Sequence, residues 1–324
     1  MSFTNDPLEI CVTGAAGYIG SRVAKDFLEA GHDVVPVDDF SYGDVKEIEG
    51  VAVENLDVRD RSQLREVLDG VDAVCHLAAV SGVEECQEEW EHAFDVNVGG
   101  TENVAMHCRE MDIPLVFPCS MAVIGDPSEL PITSEHPRDP LNNYGLTKVM
   151  SENDIEELSS RGDEGFSAVT FMKSNLYGHH TLDGRSIGKS TVINIFVDRA
   201  IDGKPLSVHE PGTQARDFIH VKDVSRAYLD AVDYLLSNDG GGAETVPLAS
   251  GECMSVLDLA ELVQRVAEEE LEEAPKIEMV ENPRSGEAVS DDFTVDTDEA
   301  REKLGFETKF SVEDAVREML DEAT

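Results

Sequence analysis

The 324-residue sequence predicts an α/β fold with a doubly wound parallel β-sheet and a smaller lobe. The first half of the chain alternates short apolar runs with segments of helical periodicity, which is the pattern of strand–helix–strand units. The first apolar run leads directly into a glycine-rich turn. The chain is longer than one average domain, so we expect a second lobe beside the sheet.

The elements follow in order along the chain. A first strand is predicted over 8–12, and a helix follows the glycine turn and ends at Gly31. The remaining elements of the first half are predicted as strands over 33–37, 71–76 and 117–120, a strand ending at 57–58, and helices over 61–68 and 88–111. The second half is predicted to hold a mobile loop over 181–189, a helix over 191–201, a strand over 204–208, and helices over 221–236, 255–271 and 312–320. We expect one domain to comprise residues 1–178 plus 213–248, and the second lobe to comprise 179–212 plus 249–324.

Composition limits where the protein works. Hydrophobic residues make up 41% of the chain, yet no apolar run is long enough to span a bilayer, and no secretory signal is visible at the N-terminus. The six cysteines have neither regular spacing nor a Cys-x-x-Cys pair. We therefore expect reduced thiols in a cytoplasmic protein and no metal site, despite the pair His179-His180.

The charge of the chain is extreme. Asp and Glu number 68 against 25 Lys and Arg, which gives a formal net charge of −43. Such a field repels nucleic acid and anionic membranes, so neither is an expected partner. An acidic disordered tail is one interpretation, but the carboxylates are spread among periodic apolar residues over the whole chain. The other interpretation, a folded enzyme of a halophile in a high-salt cytoplasm, is favoured because molar salt screens self-repulsion.

The glycine turn indicates a dinucleotide site. Its sequence, TGAAGYIG at 13–20, places Gly14, Gly17 and Gly20 between a strand and a helix. Glycines in this setting allow a tight turn and let a pyrophosphate approach the backbone N–H groups at the helix N-terminus. Asp38 ends the next strand, eighteen residues beyond Gly20, where an acid can bind the adenosine ribose diol and repel a 2′-phosphate. These features favour NAD over NADP, and the alternative is a glycine turn without a ligand.

A second pattern concerns proton transfer. Tyr144 precedes Lys148 by four residues, so a helix would place both side chains on one face. A phenol is a poor base at neutral pH, and a neighbouring cation favours its phenolate. Taken alone, the pair favours the simpler interpretation of a surface helix that carries an exposed lysine.

Several motifs together resemble a known family. They are TGAAGYIG, HLAA at 76–79, NVGGT at 97–101, FPCSMAVIG at 117–125, the Tyr-Lys pair, SNLYG at 174–178 and RDFIHVKD at 216–223. In this order they are similar to extended short-chain dehydrogenases/reductases of the nucleotide-sugar epimerase/dehydratase group, UDP-glucose 4-epimerase-like members above all. The resemblance covers nearly the whole chain. It implies a Rossmann-type sheet with an interleaved α/β substrate-binding lobe.

The resemblance also implies the roles of individual residues. The residues expected at NAD are Gly14, Gly17, Tyr18, Ile19, Gly20, Asp38, Asp57, Val58, Ala78, Asn97, Tyr144 and Lys148. Those expected at a nucleotide-diphosphate sugar, a UDP-sugar above all, are Ser120, Tyr144, Asn175, Arg216 and Arg284. Arginine suits a diphosphate because its planar fork pairs with two phosphate oxygens. Met172 and His179-His180 differ from the Arg and Pro of many relatives and are expected near this pocket.

The implied catalytic group is Ser120, Tyr144 and Lys148. Ser120 would hydrogen-bond the sugar oxygen, Tyr144 would take the hydroxyl proton as hydride leaves the sugar, and Lys148 would stabilise the phenolate. Related dehydratases and decarboxylases carry acids just after the serine, whereas this chain has Met121 and Ala122, which transfer no proton. The sequence therefore predicts an isomerase that acts through a 4-keto sugar, with a reductase, a decarboxylase, a dehydratase or a non-catalytic NAD-binding regulator as alternatives. A homodimer is expected from the family.

Overall fold

The strands form one large sheet and several small ones. The computed structural model describes residues 6–160, 165–238, 240–271, 273–282 and 288–322. Within these ranges the strands are β1 (Glu9–Thr13), β2 (Asp33–Asp38), β3 (Glu47–Ile48), β4 (Val51–Ala52), β5 (Glu54–Asn55), β6 (Ala73–His76), β7 (Leu115–Pro118), β8 (Ser167–Lys173), β9 (Asn175–Tyr177), β10 (His180–Leu182), β11 (Arg185–Ile187), β12 (Leu206–His209), β13 (Ala215–His220), β14 (Gly242–Leu248), β15 (Cys253–Ser255) and β16 (Ile277–Val280).

Helices connect and cover the strands. The described α-helices are α1 (Tyr18–Glu29), α2 (Arg61–Leu68), α3 (Val83–Glu88), α4 (Trp90–Phe94), α5 (Thr101–Met111), α6 (Asn143–Ser160), α7 (Val192–Ile201), α8 (Val221–Ser237), α9 (Val256–Glu270), α10 (Asp298–Leu304) and α11 (Val312–Asp321). A π-helical segment, Asp95–Gly100, joins α4 to α5, and a 3₁₀ turn, Met121–Val123, follows β7. None of the described helices is long and apolar enough to cross a membrane.

The central sheet confirms the predicted fold class. Its seven strands run in the order β14-β8-β7-β6-β1-β2-β5, and every neighbouring pair is parallel. From β1 the sheet extends both ways, with β2 and β5 on one side and β6, β7, β8 and β14 on the other. This is the arrangement of doubly wound folds, in which ligands bind outside the carboxyl ends of the strands. All carboxyl ends therefore meet at one edge.

Alternate side chains of the strands pack on opposite faces of this sheet. On β1, Ile10 and Val12 belong to a core shared with α1 and α8, whereas Cys11 belongs to a core shared with α2, α5 and α6. Since both faces are covered, the strands are apolar throughout rather than alternating, as expected for a buried parallel sheet. A third core lies among α7, α9, α11 and β12, with Phe196 and Leu259 inside it.

Several predicted elements require correction. The segment 181–189 is not an irregular loop, because β10 and β11 pair there as an antiparallel hairpin. The strand before Asp57 ends two residues earlier, at Asn55. The helix predicted over 88–111 is interrupted at Glu89, whose φ of −115° and ψ of 51° are not helical. Helical periodicity in the sequence does not reveal a single residue that leaves the helical conformation.

Other predictions agree closely with the structure. The helix predicted over 61–68 is α2, and α9 begins after Ser255, whose Oγ accepts a hydrogen bond from the Asp258 N–H at 3.0 Å. Ser255 is thus the N-terminal cap of α9. The glycine-rich sequence at 238–242 predicts a surface turn, and it includes residue 239, which lies outside the described residues.

Candidate active site

A large cavity opens at the carboxyl edge of the central sheet. Its volume is about 920 Å³. The residues that follow β1, β2, β6, β7 and β8 all contribute to its walls, and hairpin β10–β11, α7 and β13 close it from the other side. A cavity at the carboxyl edge, where the strand order reverses, is the expected place for a ligand in this fold.

The glycine turn forms one end of the cavity. Gly14 has a φ of +70°, and a Cβ placed there would lie 2.6 Å from the Ala78 backbone nitrogen. A Cβ on Gly20 would lie 2.1 Å from the Gly14 carbonyl oxygen. Only glycine fits at these two positions, and α1 begins at Tyr18 with its N-terminus against the cavity. The turn therefore has the close packing that lets a dinucleotide pyrophosphate approach the N-terminus of a helix.

Asp38 lies beside this turn. Its Oδ2 accepts a hydrogen bond from the Ala16 N–H at 3.0 Å, and its Oδ1 accepts one from the Phe40 N–H at 2.7 Å. The carboxyl group is 9% exposed and lines the cavity, and burial raises its pKa while the two N–H groups act in the opposite direction. These bonds fix the carboxylate at the wall of the cavity. Its binding of a ribose diol stays a prediction from the sequence.

The other predicted cofactor residues divide into two groups. Tyr18, Ile19, Val58 and Ala78 line the cavity. Tyr18 is held in place because its hydroxyl donates hydrogen bonds to the carbonyl oxygens at residues 178 and 177, at 2.6 and 3.0 Å.

Asp57 and Asn97 do not line the cavity. Asp57 is held by the Arg59 guanidinium, which lowers the pKa of its carboxyl group. Asn97 is 1% exposed; its side chain accepts a hydrogen bond from the Val80 N–H at 2.8 Å and donates one to Val80 O at 3.0 Å. It also donates to the Thr147 hydroxyl at 3.0 Å. The Asn97 side chain therefore links the loop after β6 to α6.

Ser120, Tyr144 and Lys148 line the same cavity as Asp38. Ser120 lies two residues beyond β7, and its Oγ accepts a hydrogen bond from the Ala122 N–H at 3.2 Å. Tyr144 and Lys148 lie on one face in the first two turns of α6, and all three residues line the cavity. The predicted helix and the predicted convergence of the three side chains are both present.

Burial dominates the electrostatics of this group. It raises the pKa of the Tyr144 phenol well above its usual value, and the hydrogen bond with Ser120 acts in the opposite direction. Burial also lowers the pKa of the Lys148 ammonium to about 8. The sequence suggested that Lys148 would lower the pKa of Tyr144, but the largest effect here is desolvation of the phenol, which raises that pKa.

The substrate end of the cavity contains two of the three predicted residues. Asn175 and Arg216 both line it. The Arg216 guanidinium lies 5.4 Å from the centre of the Phe293 ring and donates hydrogen bonds to the carbonyl oxygens of Ala215 and Ala288. Arg284 lies outside the described residues.

Met172 and His180 lie beneath the cavity and are not among its lining residues. Met172 is fully buried in the sheet core that also contains Phe117, so it does not face the substrate. His180 packs against Tyr18, its Nε2 lies 3.0 Å from the Tyr18 carbonyl oxygen, and burial lowers its pKa to about 4. Both departures from the family pattern are therefore matters of packing beneath the cavity.

Comparison with known proteins identifies the family. A profile of the NAD dependent epimerase/dehydratase family matches residues 10–242. The chain belongs to this family. A UDP-glucose 4-epimerase of Rhizobium meliloti is 30% identical over 319 residues, which cover 94% of this chain and 93% of that protein. The family and the fold predicted from the motifs are thereby confirmed, and NAD is the cofactor of the family.

Solved structures of the family superpose closely on this chain. UDP-glucose 4-epimerase from Brucella ovis in complex with NAD has a TM-score of 0.83 at 27% identity, covering 97% of this chain and 98% of that one. UDP-glucose-4-epimerase from Stenotrophomonas maltophila, with bound NAD and formylated UDP-arabinopyranose, has a TM-score of 0.84 at 26% identity, covering 98% of each chain.

Sequence reasoning missed three cationic residues of the cavity. Lys173, Lys189 and Arg199 all line it. Lys173 could have been found, because it ends an apolar strand and precedes Asn175 by two residues, which places both side chains on the same side of an extended chain. Lys189 and Arg199 carry no comparable signal, since their positions depend on how the hairpin and α7 fold back over the sheet.

Proposed function

We propose that the protein is an NAD-dependent UDP-sugar 4-epimerase, of the type that interconverts UDP-glucose and UDP-galactose. The observation that carries this proposal is the arrangement of the cavity, with the glycine turn and Asp38 at one end and Ser120, Tyr144 and Lys148 at the other. The epimerases named among its relatives, and their complexes with NAD and a UDP-sugar, support the same function.

Each member of the catalytic group has a defined task. The Ser120 hydroxyl holds the oxygen at C4 of the sugar, and the Tyr144 oxygen takes the proton from that hydroxyl as the 4-keto sugar forms. NAD, which the glycine turn and Asp38 would hold, would supply a reversible hydride acceptor for C4 of the sugar. Tyr144 then gives the proton back to the C4 oxygen, and the Lys148 ammonium stabilises the phenolate meanwhile.

The positions after Ser120 favour epimerisation over elimination. Met121 and Ala122 form the cavity wall there, and neither side chain can give or take a proton. A redox-neutral epimerisation needs no further acid or base, whereas loss of water or of carbon dioxide requires additional proton transfer. The alternatives within the same fold, a reductase, a decarboxylase or a dehydratase, are therefore less well supported, as is a regulator without catalysis.

Around this core we propose the remaining roles. The residues proposed to contact NAD are Gly14, Gly17, Tyr18, Ile19, Gly20, Asp38, Val58 and Ala78. Asp57 and Asn97 do not line the cavity and would hold the NAD-contacting residues in place. Asn175, Arg216 and Arg284 would hold the sugar diphosphate.

We also propose that one domain comprises residues 1–178 plus 213–248 and the other 179–212 plus 249–324, and that the protein is a homodimer. A high-salt cytoplasm is the proposed working environment, which the net charge of −43 supports.

The experiment is direct. Purified protein in 2 M KCl is incubated with UDP-glucose or UDP-galactose, and the products are followed by proton NMR while absorbance at 340 nm reports free NADH. The proposal expects both sugars to reach one equilibrium mixture without an added reductant. The proposal would be refuted by net formation or consumption of NADH, by release of carbon dioxide, or by no conversion of either UDP-sugar. Light scattering of the same sample tests the dimer.

A further inference from the structure

Lys173 lies beside the catalytic group, although the proposed chemistry does not use it. In the parallel pairing of β7 with β8, Pro118 is opposite Phe171. Ser120 and Lys173 each lie two residues further along, so they leave the carboxyl edge of the sheet side by side. Lys173 is half-buried and lines the cavity, as does Asn175.

Lys189 approaches the same space from the opposite wall. It follows hairpin β10–β11, and its Nζ donates a hydrogen bond to the Ser81 hydroxyl at 2.7 Å. Burial is the largest cause that lowers the pKa of Lys173 to about 7, and the charges of Lys189 and Lys148 contribute to the same shift. Lys189 and Lys148 therefore lie close enough to Lys173 for their charges to act on it.

This concentration of cations is unusual for the chain. Only ten of its 324 residues are lysines, and three of the ten line this cavity. The acids that line it include Asp38 and Asp39 at the end of β2, and Glu85, whose charge acts on Lys189. Proton and hydride transfer at a neutral hexose requires Lys148 but gives Lys173 and Lys189 no task, so these two further cationic side chains are available to an anionic group of a ligand.

We propose that Lys173 and Lys189 form an anion subsite at the sugar end of the cavity, and that the preferred substrate is a UDP-linked hexuronic acid. This inference rests on the proposed epimerase function and makes it more specific. The carboxylate at C5 of the sugar would pair with the two ammonium groups while C4 faces Ser120 and Tyr144. The second source of negative charge, the diphosphate, is expected at Arg216, which also lines the cavity.

The test compares charged and neutral sugars on matched variants. Binding of UDP-glucuronic acid, UDP-glucose and UDP to the NAD-loaded enzyme is measured by calorimetry, and epimerisation of both sugars is measured by NMR. The variants are Lys173→Met, which removes the charge at similar length, and Lys173→Arg, which keeps it. Lys204→Met is the control, since Lys204 is exposed and pairs with Asp202 away from the cavity.

The expected result is tighter binding and a larger kcat/KM for UDP-glucuronic acid than for UDP-glucose. Lys173→Met should lose this preference by roughly ten- to a hundredfold, the usual effect of removing one partner of a charged hydrogen bond. Lys173→Arg should retain most of it, and binding of UDP alone should change little in all variants. Equal loss of UDP binding in Lys173→Met would assign Lys173 to the diphosphate and overturn the proposal.

A preference of the wild type for the neutral sugar would overturn it as well. Failure of the inference can be told apart from failure of the epimerase function. Turnover of UDP-glucose without a preference for the acid rejects only the subsite, whereas absence of turnover with every UDP-sugar rejects the epimerase. In that second case the binding measurements still decide whether Lys173 recognises a carboxylate.

Discussion

Tyr144, the proposed base, lies in surroundings that oppose its ionisation. Burial raises the pKa of the phenol, and the same burial lowers the pKa of Lys148 to about 8. Ser120 is the neighbour whose hydrogen bond favours the phenolate. The chemistry therefore depends on a few contacts between these three side chains.

Replacing Tyr144 by Phe tests its role as a base. The change removes the group that carries the proton, so turnover of UDP-glucose should fall on the order of 10²- to 10⁴-fold, the usual contribution of a positioned acid or base. NAD content, measured after denaturation, should stay at the wild-type level. Tyr234→Phe is the control, because Tyr234 is on α8 and its hydroxyl bonds to Glu244. An active Tyr144→Phe enzyme would contradict the mechanism.

The pH profile tests Lys148. Its pKa of about 8 means that the ammonium is charged below pH 8 and becomes neutral above it. Since the charged form stabilises the phenolate, kcat/KM should fall as the pH rises through about 8 in the free enzyme. The profile is measured from pH 6 to 10 with UDP-glucose. A rate that is constant or still rising at pH 9.5 would show that the charge of Lys148 is not required.

At the scale of elements, the strand–turn–helix unit of β1 and α1 is the proposed NAD-binding unit. Gly14 and Gly20 pack so closely that a Cβ at either would overlap backbone atoms. Backbone atoms cannot move aside as a flexible side chain can, so the turn itself would have to shift.

Gly20→Ala is therefore expected to weaken NAD binding and to destabilise the fold by about 1–3 kcal/mol, as overpacking does. Urea unfolding and fluorescence titration with NAD measure the two effects. Gly99→Ala is a matched control, since Gly99 is also helical and its added Cβ would meet nothing within 4 Å. Gly99→Ala should be as stable as the wild type or more so. An unchanged NAD affinity of Gly20→Ala would mean that the turn is not the pyrophosphate site.

The elements also show what the sequence can predict. The turn at Gly14–Gly20, Asp38 and the pair Tyr144–Lys148 were predictable, because each depends on local spacing within one strand–helix unit. Asn97 was assigned to the cofactor from the family pattern. Its amide hydrogen-bonds Val80 and Thr147, and this link forms only when α6 is packed against the loop after β6.

Positions that depend on distant chain segments were not predictable. Lys189 reaches the cavity because a hairpin folds where a loop was expected, and Met172 is turned into the core by the alternation of β8. Strand alternation was the one signal that would have placed Lys173 in the cavity and Met172 outside it. Local patterns thus predicted most of the nucleotide end and little of the sugar end.

At the scale of the whole molecule, the charge of −43 sets the dependence on salt. The Debye length falls from about 10 Å at 0.1 M to about 3 Å at 1 M, so the repulsion among carboxylates is largely screened at high salt. The thermal midpoint should therefore rise steadily between 0.1 and 2 M KCl. Differential scanning calorimetry measures it, with sorbitol of equal osmolality as the uncharged control. A midpoint that falls with KCl would contradict this explanation.

The central claim is that one cavity removes hydride from C4 of a UDP-sugar and returns it to the other face. The most direct measurement is epimerisation of UDP-glucose that carries deuterium at C4, in ordinary water, with the product examined by NMR and mass spectrometry. The account predicts that the deuterium is retained at C4 of the UDP-galactose formed. Loss of the deuterium to solvent, or its appearance in free NADH, would contradict it.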